Sequence, residues 1–167
     1  MKRAPARIAL AVAAALGLSA CGFTPLYAEP GVVDALAGIS VQAPDTRTGY
    51  ILRERLEDAF GHNAGGTTPA YRLATRVRER RERLGARADD TATRYELVLT
   101  VSYTLYEGQS RRLLARSRSV TTTYAVAVQP YAGVMAAQDA EERAAAQAAD
   151  LIRADLARFF AERNAGG

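Results

Sequence analysis

The 167-residue chain has no tryptophan, one cysteine and one histidine, and its only lysine is Lys2. A single cysteine, Cys21, rules out an internal disulfide and any cluster of thiolates around a metal. The one imidazole, His62, lies in a glycine-rich stretch with no second histidine to share a metal or a proton, so solvent is its default surrounding. Long apolar runs are also missing. The longest, Ile8 to Leu18, has 11 residues, whereas a membrane-crossing helix needs about 20. No repeat recurs at a fixed period, which excludes a solenoid. Gly65-Gly66 has neither the lysine nor the helix start of a phosphate-cradling loop.

The N-terminus is organised differently from the remainder. Lys2, Arg3 and Arg7 are the only charges in residues 1–28, and they precede the apolar run and the small residues Ser19-Ala20. A cationic start, a short apolar run and a small-residue cut site form a secretory signal. With Cys21 directly after the cut, Leu18-Ser19-Ala20-Cys21-Gly22 resembles the lipobox of bacterial lipoproteins. That resemblance implies removal of residues 1–20 and acylation of Cys21 on its sulfur and its new amine. Two or three acyl chains hold a domain at a membrane where one is marginal. Taking Lys2, Arg3 and Arg7 from the 22 basic residues leaves 19 against 18 acidic. The pI of 9.5 therefore owes much to the signal and is no signature of nucleic-acid binding. Every basic residue after the cut is arginine, whose fork holds phosphate in a bidentate way; a GC-rich coding bias gives the same usage.

Periodicity predicts one domain over 38–164, an extended lipidated lead over 21–37 and a frayed tail at 165–167. Pro25 and Pro30 oppose helix in the lead. Ile39–Gln42 reads as a short strand. A helix follows from Thr48, as N-cap, to Phe60, with an apolar stripe of Leu52, Leu56, Ala59 and Phe60. In the second strand Tyr71, Leu73 and Val77 share one parity and Arg72, Arg76, Arg78 and Arg80 the other. After a turn over 84–90, Tyr95, Leu97, Leu99, Val101, Tyr103 and Leu105 alternate without a break. Glu107 to Ser110 makes a hairpin turn. The fourth strand, Leu113 to Val128, carries Arg116 and Arg118 at the parity of Val120 and Tyr124, which predicts a bulge near Ser117–Ser119. Pro130 ends it. A last helix, Met135 to Arg163, has a stripe of Ala145, Ala148, Ile152, Leu156, Phe159 and Phe160, with Glu141, Asp155 and Arg158 among the residues on its wetter side. The expected fold is α+β: a two-layer sandwich of a mainly antiparallel four-stranded sheet with two helices on one face, in the order β-α-β-β-β-α.

Catalysis finds no constellation to act through. The cysteine is assigned to lipid, the carboxylates sit beside arginines on helix faces, and Asp89-Asp90 suits a turn. No catalytic residue, metal site or cofactor is expected. A binding or assembly module at a membrane needs an anchor, a basic face and edge strands, and all three are present. The alternatives are an adaptor lipoprotein of another envelope complex and a carboxylate-dependent envelope hydrolase.

With these elements read, the chain resembles the lipopolysaccharide-assembly lipoprotein family LptE. The resemblance rests on the lead Cys21-Gly22-Phe23-Thr24-Pro25-Leu26-Tyr27, which is similar to the start of alphaproteobacterial members, and on Asp90 to Val101, where a polar turn leads into Tyr95 and the alternating strand. It covers the whole chain after the signal. It implies a protein on the periplasmic side of the outer membrane, lipid-anchored, that plugs and helps fold the barrel LptD, binds lipopolysaccharide and performs no turnover chemistry. Gly22, where inner-membrane retention has aspartate, agrees with outer-membrane delivery. Lipid A is anionic, so Arg72, Arg76, Arg78 and Arg80 with Arg116 and Arg118 are candidate phosphate contacts, and Arg83 and Arg87 reach further at the turn. Solubilising charge is the bland reading of each. The extended polar C-terminal tail of enterobacterial members is missing.

Overall fold

Strand β3 (Arg94–Glu107) sets the two layers. Its Leu97, Leu99, Val101, Tyr103 and Leu105 are buried, and the residues between them are not. A strand that alternates this cleanly is covered on one face only. The computed structural model describes residues 30–61, 69–84, 94–108, 110–125 and 130–166. Cys21, His62, Arg87 and Asp89-Asp90, with the signal and the lead to residue 29, lie outside the described residues.

The remaining elements are α1 (Pro30–Ala37), β1 (Ile39–Gln42), α2 (Arg47–Phe60), β2 (Tyr71–Arg83), β4 (Arg111–Ala125) and α3 (Pro130–Ala165). The sheet order is β1-β2-β3-β4. β2, β3 and β4 are antiparallel neighbours, whereas β1 runs parallel to β2. The sheet is therefore mixed. Parallel neighbours need a crossover connection, and α2 supplies it between β1 and β2. All three helices share the buried face, and their Val32, Leu36, Leu52, Leu56, Phe60, Ile152, Leu156 and Phe160 close the core over the odd-numbered side chains of β3.

Four expectations change. Residues 30–37 are helical, not extended, because proline at a first helical position gives up an N–H that has no partner there anyway. Val32 and Leu36, one turn apart, are then buried against the other helices. Thr46, not Thr48, caps α2: its Oγ1 accepts from Gly49 N–H at 3.1 Å, while Thr48 is buried and its hydroxyl donates to Glu79 Oε1. Pro130 likewise opens α3, five residues before the expected start, rather than merely ending a strand. The irregularity in β4 lies opposite Leu105/Tyr106, not at Ser117–Ser119. β4 is regular through Ser117–Ser119, and no switch of face occurs there.

The alanine-rich half of α3 packs closely. Ala140, Ala144, Ala145, Ala148 and Ala149 are buried, where α3 lies against α2 and β4. Small side chains let backbones approach without a gap.

Candidate functional site

Outward parity on β2 places Arg72, Arg76, Arg78 and Arg80 on the uncovered face of the sheet, as expected. Arg72 stacks over the Tyr106 ring at 4.3 Å and donates to Gln42 Oε1 at 3.1 Å. Arg80 pairs with Glu82 at 3.1 Å. Arg76 and Arg78 are exposed and form no ion pair among the described residues. Beside them run hydroxyls from two strands: Thr100 and Ser119 are 3.0 Å apart, Ser102 and Ser117 3.3 Å. Pro44, Arg76, Arg78, Thr100 and Ser102 line a groove of about 510 Å³ on this face. Guanidinium forks with free donors next to neutral hydroxyls form a surface suited to phosphate oxygens.

Arg116 and Arg118 are not part of that surface. They pair in register with Tyr103 and Val101, whose side chains face the helices. There they meet Asp155 of α3, 2% exposed. Arg118 holds it with two bonds, one of them Nε to Oδ2 at 2.6 Å. Arg116 Nη1 reaches Oδ1 at 3.5 Å, and the Tyr103 hydroxyl donates to Oδ2 at 2.5 Å. Arg158 stands 3.9 Å away on the same helix. The Arg118 hydrogen bond holds the Asp155 carboxyl below the usual carboxylate range, against the opposing effect of burial. Burial, with the Asp155 hydrogen bond second, pushes the Tyr103 phenol well above its ordinary value. The cluster ties α3 to β3 and β4.

A second seam ties the far end of the sheet. Glu141 of α3, also buried, accepts from Arg81 at 2.5 Å and lies 3.6 Å from Arg47, and Arg81 also reaches Glu79 at 3.2 Å. At the opposite end Arg163 and Arg111 bracket Glu107 at 2.8 and 3.0 Å. The Arg163 hydrogen bond, foremost, lowers the Glu107 carboxyl.

Of the candidate contacts, the structure thus brings together Arg72, Arg76, Arg78 and Arg80 and sets Arg116 and Arg118 on the opposite face. Arg83, the last residue of β2, is exposed at the sheet's tip. Asp155 and Glu141 are buried rather than wet. The signal for Asp155 is the parity clash on β4, where two arginines at core-facing positions call for a carboxylate opposite them; Glu141 answers Arg81 of β2 and Arg47 of α2.

Comparison with known proteins agrees with this architecture. The family described as LptE, lipopolysaccharide-assembly, matches residues 36–156. A candidate lipoprotein of Caulobacter crescentus with a crystal structure is 38% identical, with TM-score 0.68, over 78% of this chain and 96% of that one. The rare lipoprotein B of Shewanella oneidensis is 17% identical, with TM-score 0.56, over 77% and 98% of the two chains. A lipoprotein B of Nitrosomonas europaea, solved in solution, is 14% identical, with TM-score 0.56, over 74% and 83%. At those identities the last two share the fold. Curated proteins yield no match.

Proposed function

The chain belongs to the LptE lipopolysaccharide-assembly family, and from that premise we propose that it is anchored through Cys21 to the periplasmic side of the outer membrane, seats in the lumen of the LptD barrel and helps that barrel fold. In that position it takes part in delivering lipopolysaccharide to the outer leaflet, by binding and without catalytic turnover.

One observation carries the ligand side of this reading. Arg76 and Arg78 stand exposed and without ion pairs among the described residues, on a sheet face that none of the described helices covers, beside a hydroxyl-lined groove. Lysine-free and flanked by Thr100 and Ser102, this face offers bidentate donors to lipid A phosphates. Arg72 and Arg80, each already engaged, frame it. Arg83 adds charge at the tip of β2, at the parity of the helix-covered face, and Arg87 lies outside the described residues; Arg116 and Arg118 take up lipid A only by giving up part of their hold on Asp155. The test is binding of purified lipopolysaccharide to the Arg76→Ser/Arg78→Ser variant. Exposed charge-assisted contacts contribute roughly 0.5–1 kcal/mol each, so losing two lowers affinity roughly fivefold to thirtyfold, and the difference shrinks in high salt. Equal affinity for variant and parent would remove this face from the reading.

A further inference from the structure

The sheet has two edges, and they are built differently. On one side the four-residue β1 covers only Tyr71 to Ala74 of β2. On the other side β4, 15 residues long, has no strand beyond it among the described residues.

The register tells which backbone groups of β4 are unspent. Leu84 N–H donates to Arg94 O at 2.8 Å and Gly108 N–H to Ala70 O at 3.2 Å, so even-numbered residues of β3 bond to β2 along an unbroken register. Antiparallel ladders alternate. The odd-numbered residues of β3 therefore bond to their partners on β4, Leu114 to Tyr124 at even positions. The N–H and C=O groups of Ala115, Ser117, Ser119, Thr121 and Thr123 point to the open edge, where the Thr123 carbonyl accepts from Arg143 of α3 at 3.5 Å and the other four residues stay open.

Those five residues are small and uncharged. Natural edges are normally blunted by charge, proline or a bulge. The corresponding outward-bonding positions of β2 past β1 include Glu79, Arg81 and Arg83, which guard that edge. From 115 to 121 the edge-bonding positions of β4 carry no charge, its irregularity lies before Leu114, and its inward-pointing charges, Arg116 and Arg118, are engaged by Asp155.

Charge selects the occupant. β4 contains Arg111, Arg112, Arg116 and Arg118 and no carboxylate. Around Asp155 three guanidinia (Arg116, Arg118 and Arg158) share one carboxylate, and Arg116 and Arg118 remain 40% and 39% exposed. A second copy paired strand to strand would bring two such arginine sets together. We propose that the β4 edge receives an extended acidic segment of a partner polypeptide, which adds a fifth strand to the sheet. Side chains directly opposite Arg116 and Arg118 are two residues apart on the incoming strand and are carboxylates; those opposite Val120 and Thr122 are apolar or β-branched. Main-chain bonds supply affinity and the paired carboxylates supply choice. This inference stands apart from the barrel reading and from lipid A binding, which uses Arg76 and Arg78 across the sheet.

The test uses the mature lipidated chain in detergent micelles. The probes are nine-residue peptides in which threonine alternates with two glutamates and then two valines, made in both orders, and the same peptides with lysine for glutamate. The glutamate peptide in one order is expected to bind at least tenfold more tightly than its lysine counterpart. It should slow amide exchange at Ser117, Ser119 and Thr121 at least tenfold while leaving Leu114 to Tyr124 at even positions unchanged. Proline is tolerated where an edge N–H is free, so Ser119→Pro and Thr121→Pro keep the parent's unfolding temperature and lose binding at least tenfold. Equal binding of glutamate and lysine peptides, or parent-like binding by both proline variants, overturns the proposal. Protection of the same amides in protein alone, rising with concentration, makes the occupant a second copy and overturns it too. If a proline variant fails to fold, the exchange pattern of the unsubstituted protein decides.

Discussion

A carboxylate with 2% of its surface exposed keeps its charge at Asp155 because Arg118, Arg116 and the Tyr103 hydroxyl replace the water it has lost. Removing that charge strands arginines on the buried face. Breaking one side of a buried pair costs about 3–5 kcal/mol; Arg116 and Arg118 are two-fifths exposed, so Asp155→Asn is expected at the low end, about 3 kcal/mol, or roughly 10 °C in Tm. Thermal unfolding at pH 7 checks this. The sign with pH follows from the lowered carboxyl. Its contribution is complete above the unfolded value near 3.9 and is lost as pH falls through the lower folded value. The parent should therefore lose stability on acidification more steeply than Asp155→Asn, and the two curves should converge. Parallel curves would mean that Asp155 is not what couples the fold to acid. The identity of this cluster was half legible. Alternation along β3 marks Tyr103 as inward, and the same parity marks Arg116 and Arg118 as inward on β4. Without the pairing register those arginines look like surface charge, because a sequence states parity within a strand and not which face two strands share.

At the scale of elements, strands are legible because burial differs sharply between neighbouring residues, and helix ends are not. Leu52, Leu56 and Phe60 place α2 by spacing alone. Its N-cap is not legible to within two residues, because Thr46 and Thr48 are chemically equivalent caps and only the tertiary partner of Thr48, Glu79, separates them. The same turn contains the tightest backbone approach in the chain's described glycines. A Cβ on Gly49 would stand 2.2 Å from the Pro44 carbonyl oxygen and 3.0 Å from Thr46 Oγ1. Gly49→Ala must therefore displace the 44–46 turn and its cap, at a cost of about 1–3 kcal/mol typical of overpacking. The midpoint of denaturant unfolding should fall with an unchanged slope. An unchanged midpoint would show that the turn yields freely. The helices at Pro30 and Pro130 teach a complementary point. Proline opposes a helix interior but fits a first helical position, the place that both Pro30 and Pro130 take.

For the whole molecule, one-sidedness is the property from which function follows. The helices cover one face and bury the core; the other face carries arginines and hydroxyls with no described layer over it. The two-layer α+β plan was legible from alternation and element order, and the resemblance to the LptE family from the lead after Cys21 and the stretch from Asp90 to Val101. Which arginines share the open face was not, for the reason seen at Arg116 and Arg118. A domain built this way presents a broad polar surface and a long strand edge among the described residues, which suits the enclosure in a barrel proposed above. The most direct test of that account is affinity purification of the tagged, lipidated protein from detergent-solubilised outer membrane, with mass spectrometry of its companions. The account predicts a large β-barrel of the LptD type in stoichiometric amount. Recovery of the lipoprotein alone, with that barrel detected in the same membranes, would contradict it.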